Sequence, residues 1–235
     1  MCLLLVLAHE KPIEPKAEQG VALNTCPAVS SIRHDNSTLN PQSKPRPRAG
    51  VRGLRRYEKN MLGLKHGENR IVEYCSDWPS LFEEEQERIQ PVLGGMVLGI
   101  EHFGSTSVPG LPAKPIIDIL VGVSPLKNWS NCRSPLESLG YDYAEHAGVP
   151  DHYIFGIGSN TSERTHLLHI VEYRGTSWMS NLRFRNALRD DPELRDEYCQ
   201  IKRQAVEAIP LGRAEYTDFK TAFVSKVRDR LDNQA

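Results

Sequence analysis

The chain is read as an α+β protein in which a mixed sheet comes first and a helical lobe follows. Three observations carry this. Residues 97–103 and 116–123 are short apolar runs bounded by Gly and Pro, and the second is apolar enough to lie at the centre of a sheet. Between residues 77 and 93 apolar side chains recur at helical spacing. After Gly175 the alternation stops and three helical segments follow.

Each element has its own warrant. Residues 1–66 read as a disordered Pro/Arg-rich extension. Pro12, Pro15, Pro27, Pro41, Pro45 and Pro47 punctuate a polar segment without periodicity, and 41–48 should be extended or disordered. The α/β core is expected over 67–175 and the helical lobe over 176–235. Residues 70–75 alternate like a strand. Ser76 or Asp77 caps the next helix, with Pro79 in its first turn and Gly94-Gly95 at its end. Trp78, Leu81, Phe82, Ile89, Val92 and Leu93 share its apolar face, and Glu83-Glu84-Glu85-Gln86-Glu87 reads as a solvated one. A poorer helix spans 125–139. Residues 141–147, 152–158 and 164–173 read as strands, the last two joined as a hairpin through Gly158–Ser162. The lobe helices are expected at 176–189, 192–208 and 215–232. Leu194, Tyr198, Ile201 and Ala205 make one stripe, and Tyr216, Phe219, Phe223, Val227 and Leu231 another.

Composition excludes several function classes. A net charge of −1 hides a basic first third, with 12 Lys/Arg against 7 Asp/Glu in residues 1–75, and an acidic middle, with 6 against 13 in 76–177. The basic run from Arg46 to Arg56 can meet phosphates but reads as a solvated tail. The five cysteines include no Cys-x-x-Cys pair, which argues against a zinc knuckle or a redox dithiol and for reduced thiols in a cytoplasmic protein. The apolar start at 2–8 lacks a basic flank and is far too short to cross a bilayer, so no membrane partner is expected.

The chemistry gathers at Gly104-Ser105-Thr106-Ser107-Val108-Pro109-Gly110 and the strand after it. A Gly/Ser loop lets backbone amides approach an anion closely. Lys114 adds a positive charge, and Asp118 can hold a metal or take a proton. Metal-assisted phosphoryl transfer usually uses two carboxylates two residues apart on one strand face. The partner position here is Leu120. Either a ligand comes from elsewhere or the reaction is not two-metal transfer. From Arg164 to Glu172, alternation puts His166, Leu168, Ile170 and Glu172 on one face and Leu167, His169 and Val171 on the other. His169 is open to two readings, a core histidine with satisfied hydrogen bonds or a ligand or general base, and His102 likewise. Arg183, Arg185, Arg189, Lys202, Arg203 and Lys220 are interleaved with Asp190, Asp191, Glu193, Asp196 and Glu197. Most read as solvated pairs, with a wall for phosphate or tRNA backbone as the alternative.

These residues carry a resemblance. Asp77-Trp78-Pro79 through Phe82, His102-x-Gly104-Ser105-Thr106-Ser107-Val108-Pro109-Gly110 and Ala113-Lys114-Pro115-Ile116-Ile117-Asp118-Ile119 resemble the GrpB-like family. So do His166-x-x-His169, Phe184-Arg185-x-x-Leu188, Tyr198-x-x-x-Lys202 and Tyr216-x-x-x-Lys220, over residues 68–232 in all. The resemblance implies a nucleotidyltransferase-like mixed sheet with flanking helices. The family pattern keeps one strand carboxylate, so Leu120 is no degeneration. Its fungal branch of arginine-containing cyclodipeptide synthases implies arginyl-tRNA and a small amino acid as partners, and needs no metal or other cofactor. In that scheme Asp118 holds the guanidinium or α-amine, and His166 or His169 handles protons. Gly104, Ser105 and Lys114 meet the terminal adenosine phosphate or an oxyanion, and His102, Thr106, Ser107, Arg164, Arg185, Lys202, Tyr216 and Lys220 complete the substrate-facing set. Two alternatives stand beside it: a nucleotidyltransferase with Mg²⁺ on Asp118 and His169 or Glu172, and a non-enzymatic binding or folding module.

Overall fold

Strand β3, Ile117–Val123, is buried along its length except at Asp118, and the fold is arranged around it. The computed structural model describes residues 62–145, 149–158 and 163–233. In the main five-stranded sheet the order is β2-β3-β7-β5-β4, with β2 at Gly99–Phe103, β7 at His166–Glu172, β5 at Tyr153–Ile157 and β4 at Asp142–Tyr143. The β3–β7 pair is parallel and its neighbours antiparallel, so the sheet is mixed as expected. The expected pairing of β5 with β7 is present, while turn residues 159–162 lie outside the described residues.

Strand alternation divides the side chains between two faces. Ile117, Ile119, Val121 and Val123 pack with Phe155, Leu168 and Ile170 against helix α1, Trp78–Leu93, and helix α2, Ser130–Ser138. Trp78, Ile89, Cys132 and Leu136 are fully buried there. On the other face Leu120, Phe103 and Val171 pack on Trp178 of helix α3, Thr176–Asp190. Helices α4, Pro192–Ala208, and α5, Arg213–Asp232, complete the lobe. Its core of Phe184, Leu188, Leu194, Tyr198, Phe223, Val224 and Val227 also swallows Val108 and Leu111 of the Gly/Ser loop. The lobe therefore holds the loop by ordinary apolar burial.

Several expectations are corrected. Residues 70–75 form no strand. Val72 alone pairs, with Ala113, through two bonds of 2.8 and 2.9 Å. Pro112 and Pro115 flank that partner and cannot donate to a longer ladder. The fold also begins before residue 67. Strand β1, Leu64–Lys65, pairs with β6, Glu163–Arg164, and Leu64 packs with Ile116 and Leu167. Residues 1–61 of the expected extension lie outside the described residues. The strand expected over 141–147 is reduced to β4 among the described residues, and a 3-10 turn at Leu126–Trp129 replaces the start of the second helix. Glu83, Glu84 and Glu87 are exposed, but Glu85 is buried. It falls four residues from both Leu81 and Ile89 on the inward stripe, where it accepts from Tyr141 Oη at 2.8 Å and Arg88 Nη1 at 2.5 Å. Among the described residues no helix is long and apolar enough to cross a membrane.

Candidate functional site

The loop is fastened from inside and from behind. Ser107 Oγ donates to Gly104 O at 2.6 Å. Thr106 Oγ1 donates to Ile116 O at 3.2 Å, so it receives the bond it shares with His102 Nε2 at 3.0 Å. From α3, Arg189 donates through Nε and Nη2 to Ser107 O at 2.9 and 2.7 Å. Arg185 Nη1 donates to His102 O and to Glu101 Oε2, both at 2.8 Å. Gly104 has a φ of +72°, and a side chain there would place its Cβ 2.1 Å from Asp118 Oδ2. Glycine is required because the carboxylate rests directly against the loop backbone.

Around Asp118 the lobe supplies cations. Burial pushes its carboxyl up to about 7, opposed by Lys220, Lys114 and Lys202 in that order. Asp118 and Lys220 both keep partial access to solvent. Lys114 Nζ donates to Asn69 Oδ1 at 2.6 Å and lies 3.8 Å from the Tyr216 ring centre, with Lys220 Nζ 3.9 Å from the same centre. Lys202 is buried, donates to Pro112 O and lies 5.3 Å from the Tyr198 ring centre. Burial lowers Lys202 and Lys220 to about 7 each, with Lys220 adding to the effect on Lys202. Tyr198 is pushed up to about 12 by burial, while its hydrogen bond with Ser105 acts the other way. Asn69, almost wholly buried, donates to Ile209 O at 2.9 Å and Gly212 O at 2.7 Å, so one amide ties Lys114 to the turn that launches α5.

The structure thus brings together Asp118, Gly104, Ser105, Lys114, Lys202, Tyr216 and Lys220. It separates the rest. His166 pairs in register with Ile117, placing it on the α1 face, opposite Asp118. Burial lowers it to about 4, and it bonds Thr165 Oγ1 at 3.0 Å. His102 is on that same face, stacked on Phe82 at 4.8 Å and lowered to about 3 by burial and by Arg189 and Arg185. His169 shares the face of Asp118 but stands beside Leu120, edge-on to Phe103, with its Nδ1 3.5 Å from His152 Nδ1. Burial and His152 keep it well below the usual histidine range. The expected pairing of Asp118 with a proton-carrying histidine is not made. Arg164 is spent on a forked pair with Asp142 at 2.7 and 2.5 Å. Thr106, Ser107 and Arg185 shape the loop from within and behind. Arg183 and Arg203 are surface pairs, though with Asp232 and Glu73 and not with the interleaved acids.

Mg²⁺ does not fit this donor set. Glu172 sits at the far end of β7 opposite Val123 and accepts from Leu126 N at 2.5 Å. Asp118 is left as one carboxylate among three ammonium groups, where a hard dication needs several anionic oxygens. Among the described residues no three His, Cys, Asp or Glu side chains converge as a metal site. Sequence reasoning left Asn69, Tyr198 and Arg189 out of the site. Asn69 carries no sequence signal. Tyr198 had one, because Tyr-x-x-x-Lys occurs in both α4 and α5 and sets each ring and amine on one helix face.

Comparison with known proteins identifies a family. A family model described as GrpB protein matches residues 68–230. The glutamate-rich protein GrpB of Alkalihalophilus pseudofirmus is 33% identical over 174 residues, which is 73% of this chain and 100% of that one. The crystal structure of a conserved protein GrpB from Enterococcus faecalis matches with a TM-score of 0.63 and 34% identity, covering 70% of this chain and 98% of that one. A remoter likeness, with a TM-score of 0.42 and 10% identity over 58% of this chain and 42% of the other, is to a cytoplasmic RNA terminal U-transferase.

Proposed function

The chain belongs to the GrpB family, and from that premise we propose that it is a group-transfer enzyme for a phosphate-bearing substrate, in its specific form an aminoacyl-tRNA-dependent synthase of an arginine-containing cyclodipeptide. One observation carries the reading: a single carboxylate, Asp118, set among Lys114, Lys202 and Lys220 beneath a Gly/Ser loop. Three lysines around one carboxylate become fully cationic when an anion arrives, and a terminal tRNA phosphate is such an anion.

An aminoacyl ester is already activated. Making the first peptide bond needs positioning, a base and a place for developing negative charge. The amine nitrogen attacks the ester carbonyl, and its proton passes to Asp118, whose carboxyl is poised near neutrality by burial. The carbon–oxygen bond to the ribose then breaks, and the ribose oxygen takes the proton. With the second residue also delivered as its tRNA ester, attack of the remaining α-amine on that ester closes the ring, and the second ribose oxygen leaves with the proton. Lys114 and Lys220 hold phosphate, with the Tyr216 ring keeping both in place, and Lys202 stays behind them as a buried strut on the Pro112 carbonyl. With His166 on the opposite face and His169 buried against Phe103, Asp118 takes over the proton work expected of them.

The test incubates the purified protein with arginine, ATP, total tRNA, arginyl-tRNA synthetase and each candidate second amino acid with its own synthetase. The expected product is an arginine diketopiperazine seen by mass spectrometry and lost in Asp118→Asn. Absence of product with all twenty partners, with charging confirmed, overturns the reading. Tight association with a protein partner, unchanged in Asp118→Ala, assigns a binding or folding role instead.

A further inference from the structure

A cavity about the size of one water molecule opens behind the Gly104-Ser105 turn, between Tyr198 and the α3 side chains Asn181, Phe184 and Arg185. It shares Gly104 with Asp118, whose carboxylate rests against that glycine, and Ser105 of its lining is bonded to Tyr198. Asn181 is 2% exposed, and among the described residues its Nδ2 group has no hydrogen-bond acceptor. Its orientation is set by Arg228, which donates from Nη2 to Asn181 Oδ1 at 2.7 Å. Turning the amide over would bring two donors face to face, so Nδ2 is the group that Asn181 has left to offer. A buried donor without an acceptor costs stability and is kept where something binds it.

We propose that this cavity is the seat of one carbonyl or carboxylate oxygen of the substrate, with Asn181 Nδ2 as its donor; the proposal rests on the group-transfer reading above. The size suits a single oxygen, and apolar Phe184 and Leu188 give a dry wall on which a hydrogen bond to developing charge strengthens. In the first peptide bond the ester oxygen gains the electron pair as nitrogen attacks and returns it as the ribose oxygen leaves. Asn181 donates to that oxygen throughout and transfers no proton.

The experiment has two arms. In the first, the full chain labelled with ¹⁵N is titrated separately with acetate and with inorganic phosphate, and the Asn181 side-chain amide signal is identified by its loss in Asn181→Asp. The expected result is a saturable shift of that signal with acetate, while phosphate moves the signals of the loop and lysines and leaves Asn181 in place. An Asn181 signal that does not move with acetate overturns the proposal, whether or not the protein forms cyclodipeptides. In the second arm, Asn181→Asp and Asn181→Leu are compared in turnover and phosphate affinity. Loss of one oxyanion donor is expected to lower kcat by about 10²–10³-fold with phosphate affinity unchanged. Folded variants that keep wild-type kcat overturn the catalytic role, and a phosphate affinity that falls with Asp118 and lysine function intact places Asn181 in loop support instead.

Discussion

The two faces of the sheet bury polar groups to opposite ends. On the α1 face each is satisfied locally: Glu85 by Tyr141 and Arg88, His102 by Thr106, His166 by Thr165. On the α3–α5 face Asp118 meets three lysines, and among the described residues Asn181 and His152 each retain a buried nitrogen without a hydrogen-bond partner. A closed set of hydrogen bonds stabilises a fold, whereas an excess of one charge and spare donors wait for a ligand. The difference also shows why a histidine count is a poor guide to a site. The histidines first expected to act are kept below the usual histidine range by burial, and the groups gathered at the loop are one acid and three lysines.

The contrast breaks if Asp118→Asn proves as silent as a change on the other face. It should instead cut turnover in the proposed synthase assay by about 10²–10⁴-fold, the usual contribution of a general base, with the circular dichroism spectrum retained. The converse is Trp78→Ala, a fully buried side chain on the α1 face. It should cost about 3–5 kcal/mol in denaturant unfolding while turnover per folded molecule stays at the wild-type level. Lys220→Met sharpens the picture of the charged face. Removing one charge-assisted bond of about 1.5–3 kcal/mol should weaken phosphate binding measured by calorimetry.

A smaller effect concerns pH. The folded Asp118 carboxyl is raised from 3.8 to about 7, so between those values the native state binds more protons than the unfolded chain and loses stability as pH rises. Lys202 and Lys220 are lowered from 10.5 to about 7, so above 7 the unfolded chain binds more protons and stability returns as pH rises. The cluster therefore contributes least near neutrality. Asp118→Asn should flatten the acid limb and Lys220→Met the alkaline limb of unfolding free energy against pH. The smallest effect is His166→Gln, which should leave turnover unchanged and phosphate binding intact; a large loss there would unseat the division between faces.

The central strands were legible because β2, β3 and β7 are apolar runs with turn residues at their ends. So were the Gly/Ser loop and Asp118, which are local in sequence. What failed was non-local. Alternation within residues 164–172 was read correctly, but whether His166 faces Asp118 depends on the parallel register of β7 on β3, which neither segment encodes alone. Residues 70–75 alternate as a strand should, yet their potential partner is interrupted by Pro112 and Pro115. Glu85 was taken with its neighbours as one charge run, although its spacing from Leu81 and Ile89 places it inward. Arg185, Arg189 and Lys202 read as solvated pairs or as part of a phosphate wall, with Arg185 and Lys202 in the substrate-facing set, whereas they reach across to backbone carbonyls and, for Arg185, to Glu101.

Lys202 reaching from α4 to the carbonyl of Pro112 has a consequence for the order of events during synthesis. The loop and Asp118 leave the ribosome well before α4 and α5, and domains fold as their segments emerge. A nascent chain can assemble its apolar face around α1 while the loop still lacks its buried ammonium strut, its two Tyr-Lys pairs and the apolar socket for Val108 and Leu111. The full loop-and-lysine cluster is thus absent from every nascent chain that has not yet made α5, and its assembly follows that of the apolar face.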